Sequence, residues 1–328
     1  MSQTPPAVPR LILAPMEGVL DAIMRDQLTA IGGYARCVTE FVRVSQTLLP
    51  RRVFYRYAPE LKQGGVTPSG VPVFVQLLGS DPALMAANAA RAADLGAPGI
   101  DLNFGCPAKT VNRSQGGAAL LRSPLLIRSI CQAVRERVPN TVPVTAKIRL
   151  GYDSDDQFEE ILAALAQVEL TELTVHARTR RQGYRPPAHW HQLRQATQKM
   201  PYPVIANGEL WSPSDVKRCA TISGCDTFML ARGALCRPDL AAAIQGHYQG
   251  VAPPTFAWQQ TQELLIQFLE RNRQCYDDRY AVNPVKQWLM YLRLYYPQAG
   301  ALFSEVKRIN DPAHMAQALM GPSRARAA

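Results

Sequence analysis

Cysteine is sparse in this sequence and forms no recognisable motif. Seven cysteines are spread over 328 residues, their number is odd, and none belongs to a C-x-x-C pair. This distribution argues against a disulfide framework or a structural zinc site and favours a reducing compartment. No group of His, Cys, Asp and Glu has the spacing of a metal centre either, so we expect no bound metal.

Long apolar runs are also absent. No stretch reaches the roughly 18 uninterrupted apolar residues that a membrane-spanning helix needs. Residues 1–9 lack the basic start and the apolar run of a secretory signal. Because 47% of the residues are apolar, the chain can still build a large core. We therefore expect a cytoplasmic protein that does not enter a membrane. We also expect a monomer, although no pattern in the sequence determines the oligomeric state.

Acidic residues are outnumbered by basic ones. Lys and Arg total 36 against 26 Asp and Glu, which gives a net charge of +10. Residues 101–150 alone carry eight basic and two acidic side chains, and a second basic cluster contains Arg178, Arg180, Arg181 and Arg185. Such an excess favours a nucleic-acid partner over a basic surface that serves solubility alone.

Short strand-like runs alternate with helix-like segments eight times. The predicted strands cover residues 11–15, 37–42, 73–78, 99–104, 142–150, 173–177, 204–207 and 227–231. The predicted helices between them include 82–93, 125–137, 156–166 and 213–221. Eight such units predict an α/β fold, the (β/α)8 TIM barrel. A doubly wound sheet competes, but no G-x-G-x-x-G motif follows the first strand.

The pattern changes near residue 250. Residues 250–254 read as a linker because they contain Gly and two prolines. After it, segments 258–272, 284–295, 299–309 and 312–319 have helical periodicity. We therefore predict a flexible N-terminus at 1–10, a barrel domain at 11–249, a C-terminal helical bundle at 250–321 and a frayed tail at 322–328.

Polar and glycine-rich residues follow each predicted strand. In a TIM barrel the loops after the strands share one face, and active sites lie there. We therefore expect a single site that draws on Met16, Glu17, Arg43, Gln76, Cys106, Arg149, His176, Asn207, Gly208, Glu209 and Arg232.

Cys106 is the strongest candidate for chemistry in this set. It follows the fourth predicted strand, and Pro107 ends that strand directly after it. A thiol with a pKa near 8.5 is mostly protonated at neutral pH and can act as a general acid. Cations such as Lys109 and Arg113 can instead favour a nucleophilic thiolate, and many buried cysteines are inert core residues. The residues alone leave these alternatives open.

Two cations in the fifth predicted strand indicate a bound anion or electron-rich ring. Lys147 and Arg149 point to the same face of the strand. If that face is the barrel interior, both need a compensating partner, and a reduced flavin would supply one. The segment 207–208 and Arg232, after the last two strands, suit a phosphate group. His176 can add a hydrogen bond to cofactor or substrate.

Taken together, these motifs resemble those of the tRNA-dihydrouridine synthases. They occur in the family's order along nearly the whole chain, in residues 14–19, 76–79, 103–107, 147–151, 176–178, 207–209 and 232–233. The run Leu-Asn-x-Gly-Cys-Pro around Cys106 is highly specific. The run Pro-Met-Glu-Gly-Val and residues 39–44 are similar to the bacterial C-type, which acts on uridine 16 of the tRNA D-loop.

The resemblance implies FMN at the mouth of the barrel and NADPH as the reductant. It also implies that hydride passes from flavin N5 to C6 of uracil while Cys106 protonates C5. The residues that it assigns to the flavin are Pro15, Met16, Glu17, Gln76, Lys147, His176, Asn207, Gly208, Glu209, Ala231 and Arg232.

The resemblance implies tRNA as the substrate. Arg43, Asn103 and Arg149 would contact the RNA or orient the flipped uridine, together with His176. The C-terminal helices would grip the tRNA, with Lys286 and Arg293 as contacts. The C-type has more arginine just before Lys286 than the Asn-Pro-Val found here, and this difference concerns the orientation of the tRNA rather than the reaction.

Two other functions suit the same barrel. One is a flavin enzyme with a small substrate, of the dihydroorotate dehydrogenase or ene-reductase kind, which needs no basic helical tail. The other is an RNA-binding barrel without catalysis, which would bind no flavin. Activity on free pyrimidines, or an absence of flavin, would distinguish them.

Overall fold

The computed structural model describes residues 7–252 and 255–321, and its centre is a parallel β-barrel. Its strands are β1 (Arg10–Leu13), β2 (Arg36–Val38), β3 (Val42–Arg43), β4 (Val73–Leu78), β5 (Ile100–Asn103), β6 (Val144–Arg149), β7 (Glu172–His176), β8 (Val204–Asn207) and β9 (Thr227–Leu230). The predicted tail at 322–328 and residues 1–6 of the predicted flexible N-terminus lie outside the described residues. Arg10, predicted to precede the barrel, begins its first strand.

The sheet closes on itself. Every pairing between named strands is parallel, β1 pairs with both β2 and β9, and the pairing of β2 with β4 completes the ring. The strands β2 and β3 both pair with β4 and together fill one of eight positions. The predicted TIM barrel is confirmed.

The helices surround the barrel and extend beyond it. They are α1 (Ala22–Thr29), α2 (Arg51–Tyr57), α3 (Pro82–Asp94), α4 (Lys109–Arg113), α5 (Pro124–Arg137), α6 (Phe158–Leu165), α7 (Trp190–Lys199), α8 (Pro213–Ser223), α9 (Arg232–Cys236), α10 (Leu240–Gln249), α11 (Trp258–Cys275), α12 (Asp278–Leu292), α13 (Pro297–Val306) and α14 (Pro312–Met320). Asp81 and Ser212 cap α3 and α8 by accepting the backbone N–H groups of Leu84 and Asp215. No described helix is long and apolar enough to cross a membrane.

Two layers of side chains fill the lower half of the barrel. Arg36 pairs with Glu172 at its N-terminal end, and the Arg36 guanidinium lies 4.4 Å from the Phe74 ring centroid. Above this pair lie the apolar side chains of Ile12, Ala14, Val38, Phe74, Ile205 and Met229. These side chains fill the barrel interior, which leaves room for a ligand at the C-terminal mouth.

The predicted strand 37–42 is wrong as a single element. Its middle breaks because the Thr39 side-chain oxygen accepts the backbone N–H of Gln76, and the Glu40 carboxylate accepts the N–H of Gly18. These side-chain bonds to distant segments replace regular sheet pairing between Val38 and Val42. The break directs Glu40 toward the loop after β1.

The predicted helix start at Pro284 is also wrong. The helix α12 begins at Asp278 and runs through Pro284. Proline costs it one backbone hydrogen bond. An apolar stripe that begins at Ala281 and includes Val285 and Trp288 is fully buried and stabilises the helix across that point.

Side-chain contacts join the C-terminal helices to the barrel. Gln287 of α12 donates to the Gly18 carbonyl at 2.9 Å, and Tyr276 donates to Asp21 at 3.1 Å. Trp288 is fully buried and donates to the Leu235 carbonyl. The helices therefore contact the mouth of the barrel directly.

Candidate active site

A cavity of about 470 Å³ opens at the C-terminal ends of the strands. Its volume falls in the range of small-molecule and cofactor sites. Its walls include all but one of the residues predicted to bind or reduce a ligand inside the barrel: Pro15, Met16, Glu17, Gln76, Asn103, Cys106, Lys147, Arg149, His176, Asn207, Gly208, Glu209, Ala231 and Arg232. Arg43 is the exception.

The backbone around Cys106 is held by Asn103. The Asn103 side-chain oxygen accepts the backbone N–H groups of Gly105 and Cys106, both at 2.9 Å. The Asn112 side chain donates to the Cys106 carbonyl at 3.0 Å. Gly117 packs so closely that an added Cβ would lie 3.0 Å from the Cys106 Cβ. The thiol therefore occupies a defined position on the cavity wall.

The thiol of Cys106 favours its protonated form. Burial raises its pKa above the ordinary value, and the nearby Glu17 acts in the same direction, while Arg149 opposes them. At neutral pH the group is therefore a thiol and not a thiolate. Of the two reactive roles left open by the sequence, this environment favours the general acid over the nucleophile.

A chain of side-chain amides leads from the barrel interior to Asn103. The Gln76 amide nitrogen donates to Asp101 at 2.6 Å, and the Gln76 amide oxygen accepts from Asn103 at 2.7 Å. The backbone N–H groups of Gly105 and Cys106 can only donate, so the atom of Asn103 that faces them must be its amide oxygen. The Asn103 nitrogen then faces Gln76, which fixes the orientation of the Gln76 amide as well. The remaining N–H groups of Gln76 and Asn103 are available as donors.

Lys147 and Arg149 lie at the cavity as β6 alternation predicts. Lys147 donates to the Asn207 side-chain oxygen at 3.0 Å, and burial, followed by repulsion from Arg149, lowers its pKa to about 7. Arg149 donates to the carbonyls of Gly105 and Gly183, and burial lowers its pKa to about 10. Both groups would be stabilised by a ligand with negative charge.

Glu17, in the loop after β1, lines the cavity, and Glu40, between β2 and β3, lies close to it. Burial raises the pKa of Glu17 to about 7, and the nearby Glu40 contributes in the same direction. Glu40 accepts the backbone N–H of Gly18 at 2.5 Å. Glu17 is therefore partly protonated at neutral pH.

The loops after β7 and β8 form the far end of the cavity. Gly208 has φ +115°, and an added Cβ there would lie 2.9 Å from the His176 ring. Glu209 also has a positive φ, 56°, and its carboxylate lies between the guanidinium groups of Arg178 and Arg232. A left-handed non-glycine residue costs free energy and is often found at functional sites.

Four aromatic residues of the cavity were not predicted as site residues from the sequence: Phe41, Tyr184, Trp211 and Tyr291. Arg232 lies between the rings of Tyr184 and Trp211, at 4.9 and 5.1 Å from their centroids. Tyr291 reaches the cavity from α12. Nothing in the local sequence distinguishes these rings from ordinary surface or core aromatics, although Tyr184 lies inside the basic segment 178–185.

Three predicted RNA contacts lie outside the cavity. Arg43 is exposed and donates to the Ser114 hydroxyl at 2.6 Å, beside the helix α4 that follows Cys106. Lys286 lies on α12 and Arg293 caps its C-terminal end, and Lys286 donates to Asn310. None of these three cations lines the cavity.

The chemistry of the cavity fits a flavin. The cations of Lys147 and Arg149 suit the negative charge of a reduced flavin ring, and the amides of Gln76 and Asn103 offer donors to its carbonyl groups. The Arg232 guanidinium and the glycine at 208 suit a phosphate group at the other end. No three His, Cys, Asp or Glu side chains of the described residues form a metal-binding group.

Solved structures support the fold at low sequence identity. A 2-naphthoyl-CoA reductase complex matches 74% of this chain and 50% of its own with a TM-score of 0.56 and 12% identity. An old yellow enzyme homologue from Zymomonas mobilis matches 76% of this chain and 90% of its own with a TM-score of 0.51 and 11% identity. At such low identity these likenesses support the fold alone.

Sequence comparisons identify the family. The sequence profile of the dihydrouridine synthases matches residues 12–321. Proteins named tRNA-dihydrouridine(16) synthase from Vibrio cholerae and Aquipseudomonas alcaligenes are 51% and 49% identical over 303 and 302 residues. Each alignment covers 92% of this chain, and 92% and 96% of the relative. The resemblance predicted from the motifs is confirmed, and the chain belongs to the dihydrouridine synthase family of flavin-dependent oxidoreductases.

Proposed function

We propose that this protein reduces the C5–C6 double bond of uridine 16 in the D-loop of tRNA, with FMN as cofactor and NADPH as reductant. The observation that carries the proposal is the arrangement of Cys106, Lys147 and Arg149 around one cavity. This arrangement supports the proposal because a thiol and two basic side chains line one cavity, and the reaction needs a proton donor and groups that bind an electron-rich ring. The relatives named above are tRNA-dihydrouridine(16) synthases, which supports both the substrate and the position.

The cofactor would be held by residues of several loops. Lys147 and Gln76 would bind the ring, and Pro15, Met16 and Glu17 would line it. The backbone at Gly208, Glu209 and Ala231, with Asn207 and the Arg232 guanidinium, would hold the ribityl chain and phosphate. When bound, the flavin supplies the hydride that C6 of uracil receives.

Cys106 would protonate C5 of the uracil. Its raised pKa keeps the thiol protonated at neutral pH, and the two bonds from Asn103 hold its backbone in place. Asn103 and Arg149 would bind the base, because each can donate to a pyrimidine carbonyl. The exposed ring of Tyr184, beside Arg149 and His176, would stack on the flipped base or cover it.

The tRNA would lie across the mouth of the barrel and α12. We propose that the cations Arg43, Lys286 and Arg293 neutralise phosphates of the bound tRNA. Gln287 and Tyr291 of the same helix contact the loop after β1 and the cavity, so an RNA on α12 would lie beside the site. A monomer acting on cytoplasmic tRNA suffices for this arrangement.

Position-resolved mapping of dihydrouridine tests the proposal. We expect tRNA from cells lacking this gene to lose dihydrouridine at position 16 and to regain it when the gene is restored. Purified protein with NADPH should restore the same position on that tRNA. Loss at another D-loop position would retain the reaction and reject position 16, whereas activity on free pyrimidines without tRNA would reject tRNA as the substrate.

A further inference from the structure

Arg178 is a fully buried cation directly behind His176. It follows β7, and its side chain has no solvent exposure. Its three nitrogens reach three partners: Nε donates to the Arg185 carbonyl at 2.7 Å, Nη1 lies 3.3 Å from Nε2 of His176, and Nη2 lies 2.7 Å from the Glu209 carboxylate. Each of the three guanidinium nitrogens of Arg178 therefore lies next to a different group of the protein.

The contact between Arg178 and His176 fixes where the imidazole carries its proton. An arginine side chain has only donors and keeps its proton at all accessible pH values. The His176 Nε2 that faces Nη1 must therefore act as an acceptor. A neutral ring that accepts at Nε2 carries its hydrogen on Nδ1.

The remaining charges around His176 favour the same neutral state. Lys147, Arg149, Arg178 and Arg232 all act on it as cations, and together with burial they lower its pKa well below the ordinary value. The Glu209 carboxylate, which follows Gly208, is paired with Arg178 and Arg232. No described charge next to the ring therefore compensates an imidazolium.

The orientation of the His176 ring determines which of its edges can contact a ligand. An added Cβ at Gly208 would lie 2.9 Å from Cδ2 and 3.2 Å from Nε2 of His176, so this edge is covered by the loop after β8. Nδ1 lies on the opposite edge of the ring. His176 lines the cavity.

We propose that Arg178 is a positioning residue that holds His176 as a neutral imidazole with its hydrogen on Nδ1, so that His176 offers the cavity a donor. Its ligand partner is an acceptor, an oxygen or ring nitrogen of the cofactor, and this second part rests on the proposed function. Through Glu209, Arg178 also fixes the Arg232 side chain, which lies between Tyr184 and Trp211. The buried guanidinium of Arg178 thus positions two side chains of the proposed cofactor site, His176 and Arg232.

The tautomer can be measured directly in the wild-type protein. The chain contains five histidines, so histidine-selective 15N labelling gives a small spectrum, and His176→Asn identifies the His176 signals. We expect His176 to be neutral, protonated at Nδ1, and not to titrate between about pH 5.5 and 8, around the ordinary histidine pKa. Protonation of Nε2 at neutral pH would overturn the proposal, with or without flavin bound.

The variant Arg178→Met tests the cause. It removes the donor that faces Nε2, so hydrogen should appear on Nε2 and FMN affinity should fall about tenfold or more, as expected for the loss of a hydrogen bond to a charged group. Arg185→Ala is the matched control, because Arg185 contributes only its carbonyl to Arg178 and its side chain is exposed. An unchanged His176 spectrum in a folded Arg178→Met protein would reject the role of Arg178.

Two substitutions of His176 test whether its Nδ1–H group donates to the cofactor. Asparagine keeps an N–H near the position of Nδ1, whereas leucine removes it. We expect His176→Asn to bind FMN within about threefold of wild type and His176→Leu to bind it about tenfold more weakly. Equal affinity of the leucine variant and the wild type would reject the donor role.

These readouts separate this inference from the proposed function. A protein that binds no flavin but shows the Nδ1-protonated ring would reject the proposed function and support the assignment of Arg178. A protein that binds FMN and reduces tRNA uridine with Nε2 protonated would support the function and reject the assignment.

Discussion

The side-chain oxygen of Asn103 accepts the backbone N–H of Cys106 at 2.9 Å. The same oxygen accepts the N–H of Gly105, and the other end of the amide donates to Gln76. The loop that carries the thiol is therefore anchored to a side chain of β5 whose own orientation is set inside the barrel. Asn103 holds the backbone at Cys106, whereas burial and nearby charges set the pKa of the thiol. Substitutions can therefore test the position and the acidity of the thiol separately.

Replacing Asn103 with Ala should disturb the position of Cys106. The change leaves two partly buried N–H groups without an acceptor, which should lower the free energy of unfolding by about 1–3 kcal/mol. Single-turnover reduction of uridine should slow at least tenfold because the proton donor is displaced. Denaturant unfolding and stopped-flow flavin absorbance measure the two effects. Asn140→Ala, the same change at an exposed loop, should alter neither.

Replacing Cys106 with Ala should abolish proton transfer and keep the cofactor. The thiol contributes one part of the cavity wall, and in the proposed function other residues bind the flavin, so flavin content should match the wild type. Uridine reduction should fall by about 10²–10⁴-fold, the usual contribution of a general acid. Cys275→Ala, at an exposed free cysteine, is the matched control. Comparable turnover by both variants on unmodified tRNA would contradict the general-acid assignment.

Lys147 should make the stability of the flavin-free protein depend on pH. Its pKa is about 7 in the folded protein and 10.5 as its ordinary value. Between these values the unfolded chain binds a proton that the folded protein does not, so the free energy of unfolding rises with pH across this window. Below about pH 7 Lys147 is protonated in both the folded and the unfolded protein. The free energy of unfolding is then lowered by the full cost of burying the ammonium group.

The Lys147→Met variant should lose this pH dependence. Its free energy of unfolding relative to the wild type should therefore be most favourable below pH 7, and the advantage should shrink toward pH 10. Denaturant unfolding at several pH values measures the difference, and Lys217→Met, at an exposed site, should show none. A difference independent of pH would show that Lys147 keeps its ordinary pKa.

Removing the two cations of α12 should weaken RNA binding without affecting the cofactor. We expect Lys286→Ala with Arg293→Ala to lower tRNA affinity about fivefold or more at low salt, with equal flavin content. The slope of log affinity against log salt should fall by about 1.5, because two phosphate contacts are lost. Filter binding at several salt concentrations checks this. Arg137→Ala with Lys217→Ala, on α5 and α8, should leave both quantities unchanged; equal losses in the two double variants would reject α12 as the RNA surface.

The features that could be predicted from the sequence are those that neighbouring residues in the chain determine. The strands Val73–Leu78 and Val204–Asn207 were predicted with the bounds they have, because a continuous apolar run ends at a glycine or a polar residue. The helix starts at Asp81 and Ser212 follow from cap chemistry in the same way. Lys147 reaches the cavity because strand alternation and barrel closure leave no other place for it.

The missed features depend on contacts between distant segments. The break near Thr39 arises from bonds to Gln76 and Gly18, far away in the chain. Tyr291 joins the cavity only because α12 docks on the mouth of the barrel. Arg178 was counted as one of a basic cluster, and no local pattern distinguishes a fully buried arginine from its exposed neighbours.

The hydrogen bond from Gln287 to the Gly18 carbonyl has a consequence for how the two parts of the chain depend on each other. Gly18 follows Met16 and Glu17, which line the cavity, and Tyr291 of the same helix forms another wall. A barrel cut off before the C-terminal helices would therefore lack one wall of the cavity and one support of another. Conversely, a displacement of α12 would be transmitted to the peptide at Gly18, next to two residues that line the cavity.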